Sequence, residues 1–453
     1  MRINLNKGAA VFYLVAFLTL QTGCAGLTKT PLPSLNNPEF RKQLAGSMHH
    51  GGGPSALWAG MASRDITPPV GTPLSGYGRR KGRPSQGVHD LLHVRVLALK
   101  NQTDKLVFAS CDLVAISQEL YQAVFERLEA QSALEKSQLF LSATHTHSGS
   151  GGIGKRFLER IISGRYQKKV FQLTADSIAG AVLEALRDMK PASIGFGSAR
   201  LEGMIENRMI ENERVDDELS IIKIQIRQGP QALLVNMAAH PTVLSAKNYL
   251  FSADFPGVLQ KTVEERFPGA VCVFTNAAAG DQRIHGFNDT EGYARAEAIG
   301  NHLAEIVIKT AESISLKLQA EIATLQAPIR LPPVKIRYGF LRPPSLIGNR
   351  LIDRNVVCNA ARVNETFFIS IPGEMTSELG FEIKREARNL MLNPVIVGYA
   401  NGFIGYIIPE KYYKLKIYES SVTFFGPALD RYFLEAARAQ MQFMKEAEYE
   451  AAA

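Results

Sequence analysis

The chain has 453 residues, 46% of them hydrophobic, and a formal net charge of +8. That is enough to bury one large core or two medium ones. The basic excess is spread along the chain with no Lys/Arg block, which excludes a nucleic-acid-binding tail and leaves attraction to anionic membranes or acidic substrates as its consequence.

At the amino end, Arg2 and Lys7 precede the apolar run Ala9 to Leu20. That run is too short for a comfortable transmembrane helix and has the length of a signal-peptide core. Gly23-Cys24 follows and looks like a bacterial lipoprotein cleavage site, with Gln21 standing where an apolar residue is usual. The expectation is a signal peptide over 1–23 and export, either to the periplasm with Cys24 as a lipid anchor or by plain secretion. Residues 24–56 are rich in Pro, Gly and Ser and predict a linker, with His49 and His50 solvated inside it. Residues 57–453 read as one catalytic domain. Beyond Cys24 only Cys111, Cys272 and Cys358 remain; with no CxxC pair a thiolate zinc site is not expected, and Cys111 and Cys272 read as buried thiols.

Strands are predicted over 92–100, 105–111, 138–143, 219–227, 232–239, 270–276, 366–370 and 394–400. Helices are predicted over 117–130, 166–188, 257–267, 290–313, 376–391 and 427–448. The interval 316–362 reads as extended or hairpin structure, with an exposed loop over 337–350. Alternation of this kind implies an α/β fold with a mixed central sheet flanked by helices.

Sites in such sheets form beyond the carboxyl ends of strands, and five strand ends carry polar groups here. QLFLSA runs into Thr144-His145-Thr146-His147, ALLVNMAA into His240-Pro241-Thr242, and AVCVFTN through three alanines to Gly280-Asp281. FFISIPG runs into Glu374 and PVIVGYANG toward Tyr406. Each alone is a weak signal: an isolated HxH is more often a hydrogen-bonded loop pair, and Glu374 alone would be a helix cap. Together they offer imidazole and carboxylate donors to one edge, the set that suits a catalytic zinc with a position open for water. In an extended HxH both rings share one side. Either both bind the metal, or one binds and its neighbour handles protons.

ATHTHSGSGG, NMAAHPT, the GDQ after an apolar strand, IPGEMTSELG and GYIIPEKYYKLKIYESS, in this order, resemble the neutral/alkaline (non-lysosomal) ceramidases. DITPPVGTPLSGYGRR and GVHDLLHVRVLAL resemble the start of that family's catalytic domain, and the likeness runs over roughly residues 58 to 448. It implies one catalytic Zn2+ held by His145, His240, Glu374 and Tyr406, at the carboxyl ends of the strands. It implies His147 as the proton-transfer group, and Arg208 and Tyr418 as donors to the substrate carbonyl oxygen, where charge develops in the transition state.

The implied reaction is hydrolysis of the amide bond of an N-acyl sphingoid (ceramide-like) lipid by zinc-activated water, at or near a membrane surface and without nucleic acid. Two departures from the family pattern stand out. Gly280-Asp281 continues with Gln282 where a serine or asparagine is usual, and no C-terminal β-sandwich is expected before Ala453. Two other readings fit the same residues: a zinc hydrolase of another cell-envelope amide or ester, and a non-catalytic lipid-binding lipoprotein of the same fold.

Overall fold

Strands with hardly a polar side chain on either face require a sheet covered on both sides. The segments LFLSA, QALLVNM, VCVFTN and TFFIS are buried at every position. The computed structural model describes residues 30–335, 345, 348, 349 and 352–452. The apolar run Ala9 to Leu20, Cys24 and most of the loop expected over 337–350 lie outside the described residues.

The main strands are β1 (Ser55–Asp65), β2 (His93–Lys100), β3 (Lys105–Cys111), β4 (Leu139–Ala143), β5 (Lys190–Arg200), β6 (Glu218–Ile226), β7 (Gln231–Met237) and β8 (Val271–Asn276), which belong to one sheet. Its order is β8-β7-β6-β5-β1-β2-β3-β4, with the short strand Gln319–Ala320 added beside β1. The outermost pairs, β7 with β8 and β3 with β4, are parallel, and the pairs between them antiparallel. The sheet coils back on itself, so that the Ser110 hydroxyl on β3 donates at 2.5 Å to the Phe274 carbonyl on β8. A second sheet holds β9 (Ile322–Arg330), β10 (Asn355–Val363), β11 (Thr366–Ser370) and β12 (Asn393–Val397), with the two-residue strand His49–His50 at its edge.

The two sheets share a core. Phe108 and Phe140 from the first meet Phe368, Val395 and Val397 from the second, and the Phe108 ring lies 4.8 Å from that of Phe368. Helices α2 (Gln118–Glu129), α3 (Lys168–Arg187), α4 (Asp254–Arg266) and α5 (Gly292–Glu312) cover the outer face of the first sheet. Helices α1 (Pro38–Ser47), α6 (Ser377–Asn389) and α7 (Leu429–Ala452) cover that of the second. The expected mixed α/β architecture flanked by helices is therefore present. Its centre is two facing sheets, with β1 and β5 as strands that the sequence pattern did not reveal. Cys111, Cys272 and Cys358 are all buried free thiols.

One boundary is corrected. The linker expected over 24–56 is ordered structure from α1 onward: Asn37 caps the helix, accepting from the Glu39 amide at 3.1 Å, and Phe40 and Leu44 sit in the core. His50 is not solvated, since its ring lies 2.9 Å from the Glu321 carboxylate. Phe40 and Leu44, one helical turn apart, are the anchor; two apolar residues among Pro, Gly and Ser are too sparse a pattern to predict it.

Buried asparagines stitch the sheets together. Asn236 on β7 donates to the Ile396 carbonyl on β12 at 2.8 Å, and Asn276, ending β8, donates to the Ala239 carbonyl at 2.9 Å. Asn401 accepts from the Leu141 amide and donates to the Leu139 carbonyl on β4. Asn359 on β10 donates to that same Leu139 carbonyl. Each of these amides replaces the water that a strand end would otherwise require.

A buried ionic cluster ties α6 to the start of β6. Lys384, its side chain 2% exposed, sits 2.7 Å from Asp216 and 3.0 Å from Glu218, which also meets Arg388. Burial would raise the Glu218 carboxyl, but the facing Lys384 and Arg388 outweigh it and hold it below its ordinary range. Removing the ammonium strands the Asp216 carboxylate without a counter-ion, and breaking such a pair costs about 3–5 kcal/mol. Lys384→Met is expected to lower the urea midpoint of unfolding by that amount of stability. A midpoint equal to wild type would mean that the cluster contributes nothing.

Candidate metal centre

His145 follows β4 and takes a left-handed backbone, φ +73°. That conformation costs a non-glycine residue about 1–3 kcal/mol unless its surroundings enforce it. Here they do: its amide donates to the Leu113 carbonyl at 3.0 Å, and its ring Nδ1 lies 2.5 Å from the Val114 carbonyl. His240 follows β7, with Nδ1 2.7 Å from the Ala279 carbonyl. A carbonyl only accepts, so both rings carry their proton on Nδ1 and turn a bare Nε2 lone pair inward.

The inward atoms converge. Nε2 of His240 lies 3.1 Å and Nε2 of His145 3.4 Å from the same Glu374 oxygen. The His147 Nε2 lies 3.2 Å from that of His145. One ligand atom from each of His145, His147 and His240 falls within 4.8 Å of the others, so the three can hold a metal ion. Two lone pairs and a carboxylate facing one another repel unless a cation sits between them; the donor set therefore fits a metal that takes nitrogen and oxygen ligands. Burial and the neighbouring imidazoles push His147 well below the usual histidine range. Burial, with the Arg208 charge, lowers His240 to about 3. Both rings are neutral, the form that ligates.

Glu374 and Tyr406 come from the far side. They are register partners in a two-residue parallel pairing, Glu374–Met375 with Tyr406–Ile407. The loop before Glu374 emerges from the second sheet, so the converging strand ends belong to two sheets and not to one edge of a single sheet. Gly280 packs against this pairing: a Cβ there would lie 2.7 Å from the Glu374 carbonyl oxygen, which only glycine avoids.

Arg208 donates to the Tyr406 hydroxyl at 2.6 Å and to the Gly280 carbonyl at 3.0 Å, and its Nε faces Glu419 at 3.6 Å. Burial works against the guanidinium's charge, but Tyr406, Glu374 and Glu419 outweigh it and raise its pKa. Tyr418 stands at the rim, 64% exposed, its ring edge-on to Tyr406 at 5.8 Å. All seven residues singled out in the sequence thus lie within one neighbourhood. His93, His285 and His302 do not join the metal cluster.

Further residues brace the cluster, and of these only Asp281 and Gln282 stood out in the sequence. Tyr399 stacks on the His145 ring at 3.9 Å. Asp281 accepts from Asn207 at 2.8 Å and from the Ser377 amide and hydroxyl at 2.7 and 2.9 Å, locking the Asn207-Arg208 segment against α6. Arg80 is a buried guanidinium with no acidic partner among the described residues; it donates to the carbonyls of Ser75, His147 and Ser245 and so clasps three loops around His147. Gly76, at φ +103°, lets the chain pass the His147 ring, where a Cβ would approach to 2.7 Å. Gln282 is committed to structure: its amide donates to the Asp216 and Ala238 carbonyls and accepts from the Asp216 amide. A cavity of about 1130 Å³ beside Leu318, Met391 and Met444 shares no residue with the cluster.

Residues 58–284 match the family model of the neutral/alkaline non-lysosomal ceramidase, N-terminal. Neutral ceramidase 1 of Arabidopsis thaliana is 26% identical over 224 residues, 46% of this chain and 29% of that protein. The neutral ceramidase of Pseudomonas aeruginosa is 24% identical over 242 residues, 49% of this chain and 36% of that one. That of Mycobacterium tuberculosis is 23% identical over 216 residues, 44% and 34%. The matched chain thus spans about a third of the length of these curated relatives. The crystal structure of neutral ceramidase from Pseudomonas aeruginosa superposes with a TM-score of 0.73 at 20% identity, covering 88% of this chain and 75% of that one, and has the same fold.

Three substitutions test the ligand set. His145→Ala, His240→Ala and Glu374→Gln are each expected to lose tightly bound metal, measured by elemental mass spectrometry on desalted protein, because a catalytic metal has few protein ligands to spare. Full occupancy in all three would remove these residues from the set.

Proposed function

The chain belongs to the neutral/alkaline non-lysosomal ceramidase family, and from that premise we propose that it is a zinc-dependent hydrolase cleaving the amide bond of an N-acyl sphingoid lipid. The observation that carries the proposal is the buried meeting of the His145 and His240 lone pairs with Glu374. His145, His240, Glu374 and Tyr406 would hold the zinc. When bound, zinc supplies Lewis acidity, lowering the pKa of water toward neutrality.

The chain's own groups divide the remaining work. His147, neutral and on the rim side of His145, takes a proton at Nε2 and returns it to the departing amine. The Arg208 guanidinium charge and the Tyr418 hydroxyl would stabilise the carbonyl oxygen, where negative charge grows in the transition state. No side-chain nucleophile is needed. The Ser148 hydroxyl is bonded by the Asn248 amide and that of Ser150 donates to the Gly151 carbonyl, so neither serine is poised to attack. Gln282, where the family pattern has a serine or asparagine, is held by Asp216 and Ala238.

The domain reading that accompanies this function is a signal peptide over 1–23 followed by the catalytic unit, exported to the periplasm or anchored at the membrane through Cys24. No helix among the described residues is long and apolar enough to cross a membrane.

Two measurements decide the reading. Hydrolysis of a fluorescent N-acyl sphingosine is expected to vanish on chelation and return with zinc. His147→Ala is expected to keep its metal while losing roughly 10²–10⁴-fold in rate, the range of an acid/base group. Loss of metal in that variant would instead make His147 a third imidazole ligand, as its 3.2 Å approach to His145 allows. Full zinc occupancy without hydrolysis of the sphingosine amide would transfer the activity to another amide or ester. For location, Cys24→Ser should move the protein from the membrane fraction to the soluble periplasm, since dual acylation anchors firmly and its loss does not go unnoticed; unchanged fractionation would leave plain secretion.

A further inference from the structure

The helix Phe157–Ser163 is inverted. In a surface helix the apolar residues face the core, yet Phe157 is 64% and Ile161 52% exposed, and with Arg160 they share one face at i, i+3 and i+4. Glu159 and Ser163 turn inward instead: the Glu159 carboxylate accepts from the Arg156 amide at 2.9 Å, and the Ser163 hydroxyl donates to the Glu159 carbonyl.

The ground around this face is basic. Glu159 is the only acid between residues 151 and 175, and residues 66 to 89 contain none. Arg79, Lys81, Arg160, Arg165, Lys168 and Lys169 are all exposed, and none makes an ion pair among the described residues. Lys168 and Lys169 even occupy the first turn of α3, which has no acid there. Cations at a helix amino end oppose the macrodipole, so local helix stability does not account for them.

These groups form one surface. The carbonyl of Ile161 lies 3.9 Å from a Cβ built on Gly78, and Gly164 packs on Gly82, so the basic turn 78–83 rests against the end of the apolar helix. The inner side of that turn carries Arg80, which clasps the His147 carbonyl.

We propose that Phe157, Ile161 and the surrounding Lys and Arg side chains dock this protein on an anionic lipid bilayer. Apolar side chains ringed by unpaired cations match an acyl boundary beneath negative headgroups, and each basic residue near such a surface raises partition about fivefold. A nucleic acid would be held by the cations alone and would leave Phe157 and Ile161 in water. The surface deepens the lipid-hydrolase reading and rests on it only for its purpose, because docking is measured without turnover.

The test uses the full chain carrying Phe157→Trp, whose emission is compared with that of wild type to remove the contribution of Trp58. With vesicles of phosphatidylcholine and phosphatidylglycerol the emission should shift to the blue and be quenched by brominated acyl chains. It should not do so with phosphatidylcholine alone, and the shift should fade in high salt. Phe157→Ser combined with Ile161→Ser should weaken cosedimentation with the anionic vesicles at least about tenfold, while leaving hydrolysis of a water-soluble short-chain N-acyl substrate unchanged. An indicator unmoved by anionic vesicles would overturn the proposal, even in a protein that cosediments through its amino-terminal segment. A blue shift that appears without vesicles as protein concentration rises would assign the face to a second copy of the chain. Docking without any hydrolysis would leave this surface standing and remove the lipid-hydrolase reading.

Discussion

Side-chain amides at the ends of strands decide where the two sheets can meet. A strand that stops inside a protein leaves backbone donors and acceptors with no water to satisfy them. Asn236, Asn276, Asn359 and Asn401 satisfy such groups, each bonded across from one segment to another. With this seam closed, the ends of β4, β7 and β8 and the loops after β11 and β12 are brought to one place. Leu141, three residues before Thr144, is held by Asn401; Ala239, next to His240, is held by Asn276. The metal cluster is thus an outcome of how buried strand ends are satisfied.

The same logic governs its electrostatics. Carbonyls of Val114 and Ala279 fix the protons of His145 and His240 on their outer nitrogens. What remains inside is a set of acceptors with Arg208 and Tyr406 behind Glu374. An interior of this kind concentrates negative potential at one point, where a divalent cation gains most.

Much of this was legible in the amino-acid pattern. Continuous apolar runs placed the buried strands, and polar residues just past their ends pointed to His145, His240, Glu374 and Tyr406. The strands β1 and β5 escaped because SALWAGMASRD and KPASIGFGSAR interrupt their apolar positions with Ala, Gly and Ser, which carry little strand preference. The division into two sheets escaped because pairing between distant segments leaves no local period. Arg80 and Tyr399 act by contact alone: nothing in GYGRR says that its second arginine is buried, and VIVGYA gives no hint that its tyrosine lies on an imidazole. Core histidines announce themselves by their neighbours in sequence; the groups that brace them do not.

The order of the donors along the chain has a temporal meaning. His145 and His240 leave the ribosome early, but Glu374 and Tyr406 follow more than a hundred residues later, after the long strands of the second sheet that begin at Ile322. Until then the early imidazoles have no Glu374 carboxylate, and the edge strand β4 lacks the partners that Asn401 and Asn359 provide. A nascent chain halted before residue 374 would lack the Asn401 contact and leave the apolar β4 edge less covered, the kind of edge that aggregates. Completion of the candidate metal cluster and cover for that edge therefore arrive together, once Glu374 and Asn401 have been made, and a product truncated before them would lack both.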